Sequence, residues 1–219
     1  MRLFITILIA ALYLVSLTAK TCALPVDTRS ISSTSFQMAD GERAKLSDFR
    51  GKTVVLHFMA SWCGECILEA PSLERLARAV SIDRVTVLGV AINDTPEAIA
   101  GIVRRLKIAY PIMIDSLNSL KSFFEIRGVP VTYILSSDGN LMAFRDPDTG
   151  RMTSRTVGPR QWDSDEAIKS VKEAARASNE ENINSTVSER QAALPAFKRR
   201  NLQSLTEALY FVLDGQRNG

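Results

Sequence analysis

The sequence has little cysteine, little histidine and little net charge. Only three cysteines and one histidine occur among 219 residues, which excludes a small scaffold stapled by several disulfides and a zinc site with about four protein ligands. The formal net charge is only +3, and basic and acidic residues are interspersed, so no nucleic-acid-binding surface is expected. With 46% hydrophobic and 23% charged residues, the composition is typical of a globular domain.

Long hydrophobic runs are scarce as well, and the longest lies at the N-terminus. Arg2 precedes an almost wholly apolar stretch, and small residues follow up to Ala23. This pattern predicts a secretory signal peptide or a membrane anchor over residues 1–23, with residues 3–19 as the tether. The run is marginal for a permanent span, which needs about 20 apolar residues. We therefore expect export, with the leader either cleaved or retained, and Cys22 either lost with the leader or a bystander.

Strand-like and helical patterns alternate through the middle of the chain. Residues 53–59 and 85–92 are β-branched, apolar runs, and each is followed by apolar residues at helical spacing. Asp40-Gly41 and Asp138-Gly139 are turn signals that predict hairpins near both ends of the region. Residues 35–177 are therefore predicted to form an α/β domain with a central mixed sheet flanked by helices.

Two further segments are predicted to lie outside this domain. Residues 24–34 are polar and rich in Ser and Thr, which indicates a linker between leader and domain. Residues 178–219 are predicted to form a second linker, up to residue 190, followed by a short C-terminal amphipathic helix with basic residues at its start.

Cys63-Gly64-Glu65-Cys66 is the motif that carries chemistry, because it follows a buried strand and opens a helix. A cysteine pair in that setting indicates a redox site. Cys63 would be the nucleophile, since free N–H groups and the helix dipole stabilise a thiolate at a helix start. Cys66 would resolve the mixed disulfide. Trp62 is expected to shield the dithiol and to dock partners, and no cofactor is needed beyond the redox-active disulfide.

Other uses of the same two cysteines stay open. They suit Cu(I), a soft ion, so a copper-binding assembly chaperone is one alternative. A disulfide oxidase or isomerase is another, because thiol–disulfide exchange runs in both directions. No further metal ligands are predicted.

Residues 49–66 resemble the active-site region of thioredoxin-like proteins, and most of all the exported TlpA/ResA/CcmG-type thiol–disulfide reductases. Pro71 matches the proline within the family's active-site helix, and Gly128 to Tyr133 matches its G-V-P-T-T-F segment. Residues 90–115 match an inserted strand–helix unit. The resemblance implies a thioredoxin-like fold with this insertion and an N-terminal hairpin. It also implies a cis peptide bond before Pro130, with the Val129 backbone presented to an extended partner segment.

Three positions qualify the resemblance. Glu65 stands where relatives commonly have proline; a carboxylate there disfavours the Cys63 thiolate and predicts a reductant, unless solvent screens it. His57 stands where thioredoxin has a buried acid, and it is either a proton relay or a core histidine satisfied by a neighbour. Asp94 is either a proton acceptor, as an acid nearby serves in ResA-like relatives, or the cap of the next helix.

The resemblance also implies cellular context. It implies a periplasmic oxidoreductase, soluble after cleavage or anchored to the inner membrane, that reduces cysteine pairs of exported proteins. Cytochrome c haem sites and copper-centre proteins are examples of such targets. A membrane electron donor of the DsbD/CcdA type would then re-reduce it.

Overall fold

The computed structural model describes residues 29–80 and 84–192, without the side chains of residues 29–30 and 189–192. The expected leader, Cys22 and the expected C-terminal amphipathic helix lie outside these residues. Within the part described, no helix is long and apolar enough to cross a membrane.

Five helices and ten strands are described in these residues. The helices are α1 (Arg29–Ser32), α2 (Gly64–Val80), α3 (Pro96–Leu106), α4 (Ser119–Phe123) and α5 (Asp165–Ala192), and a 3-10 turn spans Leu46–Phe49. The strands are β1 (Ser35–Met38), β2 (Arg43–Lys45), β3 (Thr53–Met59), β4 (Val85–Ile92), β5 (Ile112–Asp115), β6 (Val131–Leu135), β7 (Leu141–Met142), β8 (Phe144–Arg145), β9 (Met152–Thr153) and β10 (Thr156–Val157).

The sheet is mixed, as the sequence predicts. Its order is β10-β6-β3-β4-β5-β1-β2, and β7 pairs with the end of β6. β3, β4 and β5 run parallel, whereas β6 and β1 are antiparallel to their neighbours β3 and β5. β8 and β9 form a separate two-stranded hairpin. All seven residues of β3 are buried, because strands lie on both sides of it and packed side chains cover both its faces.

Side chains on the two faces of the sheet form two hydrophobic clusters. Along β3, Val55 and Met59 belong to one cluster, which also contains both cysteines and residues of α2 and α5. Leu56 and Phe58 belong to the other cluster, on the opposite face. We call these the cysteine-side cluster and the opposite cluster. The alternation follows from the two-residue period of a strand.

Two predicted linkers are wrong in part. Residues 178–190 belong to α5, which contains neither Pro nor Gly from Asp165 to Ala192. The Oγ of Ser178 is buried and accepts the N–H of Ser137, and the amide of Asn182 donates to the Ser137 hydroxyl. At the other end, residues 29–32 of the expected 24–34 linker form α1, and Ser32 is buried. Polar composition predicted linkers, but these polar side chains hydrogen-bond or face solvent from a helix.

Gly89, at the centre of the sheet in β4, has little room for a side chain. A Cβ added there would lie 3.0 Å from Cγ1 of Ile112 on β5. We expect Gly89→Ala to lower the free energy of unfolding by about 1–3 kcal/mol, because a packed core resists added volume. Denaturant titration measures this change.

The matched control is Gly101→Ala in α3, where an added Cβ would meet nothing within 4 Å. That variant should gain about 0.5–1 kcal/mol, since alanine favours a helix over glycine. Equal stabilities of the two variants would contradict the packing argument.

Candidate active site

Cys63 and Cys66 lie at the junction between the central strand and α2. They form a disulfide with a Cα–Cα distance of 5.3 Å. Cys63 retains 7% of its surface exposed, whereas Cys66 is fully buried. Cys63 is therefore the more accessible of the two residues, and its role as the attacking cysteine stays a prediction.

The start of α2 points hydrogen-bond donors at Cys63. The backbone N–H of Cys66 lies 3.1 Å from Cys63 Sγ, and that of Ile67 donates to the Cys63 carbonyl at 3.1 Å. In the reduced protein the first of these groups would stabilise a Cys63 thiolate. Gly64 is exposed, and a Cβ added there would meet nothing within 4 Å.

The loop before β6 faces the disulfide from the other side. The peptide bond between Val129 and Pro130 is cis, as the resemblance implies. The Val129 carbonyl oxygen lies 3.7 Å from Cys63 Sγ, and the N–H of Gly158 donates to the Pro130 carbonyl at 3.0 Å. The backbone of Val129 is thus beside Cys63 Sγ, and its contact with an extended partner segment stays a prediction.

Trp62 and Glu65 flank the disulfide on the surface. Trp62 is 60% exposed, and its Nε1 donates to the backbone carbonyl of Asn93 at 3.1 Å. Its ring is therefore held outside the core, next to Cys63. Glu65 is exposed on the first turn of α2. Its effect on the Cys63 thiolate and the docking role of Trp62 stay predictions.

His57 is wholly buried in β3, and its Nδ1 lies 2.9 Å from Oγ1 of Thr132 on β6. Strand alternation puts its side chain on the face of the cysteine-side cluster. Burial lowers the pKa of His57 to about 3, so the ring is neutral at physiological pH and a weak base. Thr132 satisfies only Nδ1, because Nε2 is buried and has no hydrogen-bond partner among the described residues. The lowered pKa disfavours a proton relay, and the role of His57 stays a prediction.

Asp94 follows β4 and holds the loop that leads to Cys63. Its two carboxylate oxygens accept the backbone N–H of Ser61 at 2.5 Å and the Ser61 hydroxyl at 2.8 Å. The helix cap is the neighbouring Thr95, whose Oγ1 accepts the N–H of Ala98. Asp94 Oδ1 also accepts the backbone N–H of Thr95 at 2.9 Å, and a role for Asp94 as proton acceptor stays a prediction. The geometry shows a residue that positions the active-site loop.

Glu69 is a site residue that sequence reasoning missed. It lies on α2, one turn after Cys66, with 4% of its surface exposed. Its Oε1 accepts the indole N–H of Trp162 and, at 3.2 Å, the backbone N–H of Arg160. Its Oε2 is buried and has no hydrogen-bond partner among the described residues. A glutamate on the apolar stripe between Cys66 and Leu73 was the signal in the sequence.

Burial raises the pKa of Glu69 to about 7, although the hydrogen bonds from Trp162 and Arg160 lower it. A carboxyl group that exchanges its proton near neutral pH suits general acid–base work. Because it is one helical turn from Cys66, it is placed to serve the buried thiol of the pair.

Comparison with known proteins assigns the chain to a family. A sequence match to the AhpC/TSA family covers residues 29–144, more than half of the chain. The chain belongs to the AhpC/TSA family. The matched range contains the disulfide, Glu69, Asp94 and the cis-proline loop. The segment around Trp162 is the part of the site that lies outside it.

Curated relatives of this AhpC/TSA family member carry names from thiol–disulfide chemistry. It is 26% identical over 117 residues to thiol-disulfide oxidoreductase ResA of Geobacillus kaustophilus, covering 53% of this chain and 66% of the relative. It is 28% identical over 126 residues to thioredoxin-like protein YneN of Bacillus subtilis, covering 56% of this chain and 71% of the relative. The first of these matches therefore spans just under two thirds of the relative.

Solved structures share the fold. A secreted disulfide oxidoreductase of Mycobacterium tuberculosis superposes with a TM-score of 0.51 at 19% identity, covering 68% of this chain and 98% of that one. A thioredoxin-family thiol:disulfide interchange protein of Chlorobium tepidum gives 0.50 at 22% identity, covering 63% and 92%. The thioredoxin-like fold and the resemblance to ResA-type proteins are confirmed.

Proposed function

We propose that the chain is a thiol–disulfide oxidoreductase that acts by exchange at Cys63 and Cys66. The observation that carries the proposal is the asymmetry of the disulfide: Cys63 is the reachable sulfur, and Cys66 is fully buried behind it. A structural disulfide needs no such asymmetry. The names of the curated relatives belong to the same chemistry.

The exchange would proceed in two steps. The Cys63 thiolate attacks a disulfide of the target, forms a mixed disulfide and releases one target sulfur as a thiolate, which takes up a proton. Cys66 then loses its proton and attacks Cys63 Sγ, which releases the second target sulfur. Two electrons pass to the target, and the Cys63–Cys66 disulfide is left.

The second step needs a base beside a buried thiol, and Glu69 would supply it. Its Oε2 has no other partner among the described residues, whereas Oε1 is held by Trp162 and Arg160. The fixed oxygen orients the carboxyl group, and the unpartnered oxygen is available to take the Cys66 proton. The carboxyl group would return this proton when the protein is reduced again.

We further propose that the protein is exported and reduces disulfides of exported proteins. The apolar N-terminal run supports export, and cysteine pairs such as those of cytochrome c or copper-centre maturation are suitable targets. Glu65 supports the direction, because a carboxylate on the first turn of α2 disfavours the Cys63 thiolate. A membrane electron donor would supply the reducing equivalents.

The reduction potential tests the direction of exchange. We expect a value near that of thioredoxin, about −270 mV, whereas a value near that of DsbA, about −120 mV, would show an oxidant. Glu65→Gln removes only the charge and should raise the potential by roughly 10–20 mV, since a screened surface charge contributes about 0.5–1 kcal/mol. Equilibration with glutathione or dithiothreitol measures both proteins. An unchanged or lower potential in the variant would remove the role given to Glu65.

A further inference from the structure

The hairpin of β8 and β9 has no part in the chemistry described so far, yet one buried carboxylate accepts several hydrogen bonds from its turn. Asp146 is 6% exposed. Its Oδ1 accepts the backbone N–H groups of Asp148 at 3.1 Å and Thr149 at 2.9 Å, and the Thr149 hydroxyl at 3.1 Å. Although burial opposes ionisation, hydrogen bonds from Thr149 and Arg160 keep the pKa of Asp146 below its usual range. The turn therefore presents a fixed negative charge.

That charge is directed at Arg160. Nη2 of Arg160 lies 3.0 Å from Asp146 Oδ2, and Nε lies 3.1 Å from Asp148 Oδ2. Nη1 donates to the Pro159 carbonyl at 2.8 Å. The Arg160 side chain is only 15% exposed. One cation is thus enclosed by two carboxylates and a backbone carbonyl, and the two carboxylates offset part of its charge.

The main chain of Arg160 connects the hairpin to the redox site through hydrogen bonds. Its N–H donates to Glu69 Oε1 at 3.2 Å, and its carbonyl accepts the Ser72 hydroxyl at 3.4 Å. Two residues later, the Trp162 indole donates to the same Glu69 oxygen, and its backbone N–H donates to Ser72. Residues 160–162 therefore cover the buried carboxyl group, and the hairpin holds residue 160 in place.

We propose that Asp146 and Asp148 are positioning residues of the redox site. They hold Arg160 over Glu69 and offset the charge of Arg160, so that Glu69 retains its proton beside the disulfide. The proposal rests on the proposed function and names a part of its machinery. An Arg160 without these partners would favour the carboxylate form of Glu69, because an opposite charge stabilises ionisation.

Other ionisable groups near Glu69 also bear on its protonation. The charge of Glu65, one turn earlier on α2, raises the pKa of Glu69, and that of Arg160 lowers it. Tyr110, between α3 and β5, is buried, and burial together with the charges of Glu69 and Glu74 raises the pKa of its hydroxyl. Of these groups Arg160 is the only cation, so its neutralisation has a direct effect on Glu69.

The experiment compares two variants that break the same ion pair from opposite sides. Asp146→Asn leaves Arg160 less neutralised and should lower the titration midpoint of Glu69 by about 0.5–1 pH unit, whereas Arg160→Gln should raise it by a similar amount. Carboxyl carbon NMR of the oxidised full-length protein reads the midpoint, with the signal assigned by its loss in Glu69→Gln. If the pair only kept the cap closed, both variants would admit water and shift the midpoint in the same direction. Shifts of the same sign, or none, would overturn the proposal.

Two controls complete the test. Lys169→Gln removes a cation from an exposed pair on α5, whose lysine side chain is 77% exposed, and should not move the midpoint. Asp148→Asn, at a side chain that is 54% exposed, should give a smaller shift than Asp146→Asn with the same sign and serves if the buried variant does not fold. The titration needs no turnover, so absence of disulfide exchange with the expected shifts would overturn the proposed function alone.

Discussion

Cys63→Ser is expected to abolish disulfide exchange, with a loss of turnover of at least about 1,000-fold, because the remaining sulfur of Cys66 is fully buried. Cys66→Ser should also stop turnover, but for a different reason. It keeps the reachable nucleophile and lacks the resolving thiol, so mixed disulfides through Cys63 should accumulate. Reduction of a peptide with an intramolecular disulfide measures turnover, and mass spectrometry under non-reducing conditions identifies the trapped species.

The two variants control for each other, since both remove one sulfur from the same helix start. A loss of fold would remove trapping from both. Trapping through Cys66 in the Cys63→Ser variant would contradict the assigned order of attack. Tight Cu(I) binding by the original protein, with no exchange at all, would support the copper-chaperone alternative instead.

Glu69→Gln is expected to slow the resolving step by roughly 100-fold, because general acid–base catalysis contributes on the order of 10²–10⁴. The amide keeps an oxygen for Trp162 and Arg160 but takes no proton from Cys66. The rise of the resolving rate through a midpoint near pH 7, the raised pKa of Glu69, should disappear. Rapid-mixing measurement of mixed-disulfide decay between pH 5 and pH 9 tests this.

The same variant should be more stable at neutral pH. Below the ordinary glutamate pKa of 4.5, Glu69 is protonated in both the folded and the unfolded state, so its ionisation does not change the free energy of unfolding. Between that pH and about 7 only the folded state keeps the proton, so stability falls as pH rises. At pH 7 the gain for glutamine should be up to roughly 3 kcal/mol.

The control for Glu69 is Glu74→Gln, five residues further along α2. Glu74 is also buried, but its carboxylate accepts the Ala109 N–H at 2.8 Å and pairs with Arg78. This substitution should leave the pH dependence of the resolving step unchanged. A Glu69→Gln protein that resolves mixed disulfides as fast as the original would remove Glu69 from the mechanism.

The cysteine site was predictable because its determinants are local. The apolar run of residues 53–59, the Cys63–Cys66 spacing and the helical pattern after it are continuous in the sequence. The cis peptide bond before Pro130 was predictable for another reason, since it came with a matched family segment and not with local propensity.

The remaining contacts of the site were not predictable from local patterns. Glu69 meets Arg160 and Trp162, which lie 91 and 93 residues later in the chain. Asp94 holds Ser61, 33 residues earlier. Periodicity shows that a side chain faces the core, but it does not show which residue from a distant segment contacts that side chain. Both readings of Asp94 were therefore built on sequence neighbours and on the resemblance, and both left out Ser61.

The division of the core into two clusters has a thermodynamic consequence. Oxidation and folding form a closed cycle, so a substitution changes the reduction potential only by the difference between its effects on the oxidised and reduced forms. Side chains of the opposite cluster that do not contact Val129, such as Phe58 and Phe124, lie on the other face of the sheet from the disulfide, and we expect their effects to cancel around the cycle. Those of the cysteine-side cluster, such as Trp162, need not cancel, and each unbalanced 1.4 kcal/mol appears as about 30 mV. Substitutions in the opposite cluster can thus change the stability of the protein at a constant reduction potential. Substitutions in the cysteine-side cluster can change both.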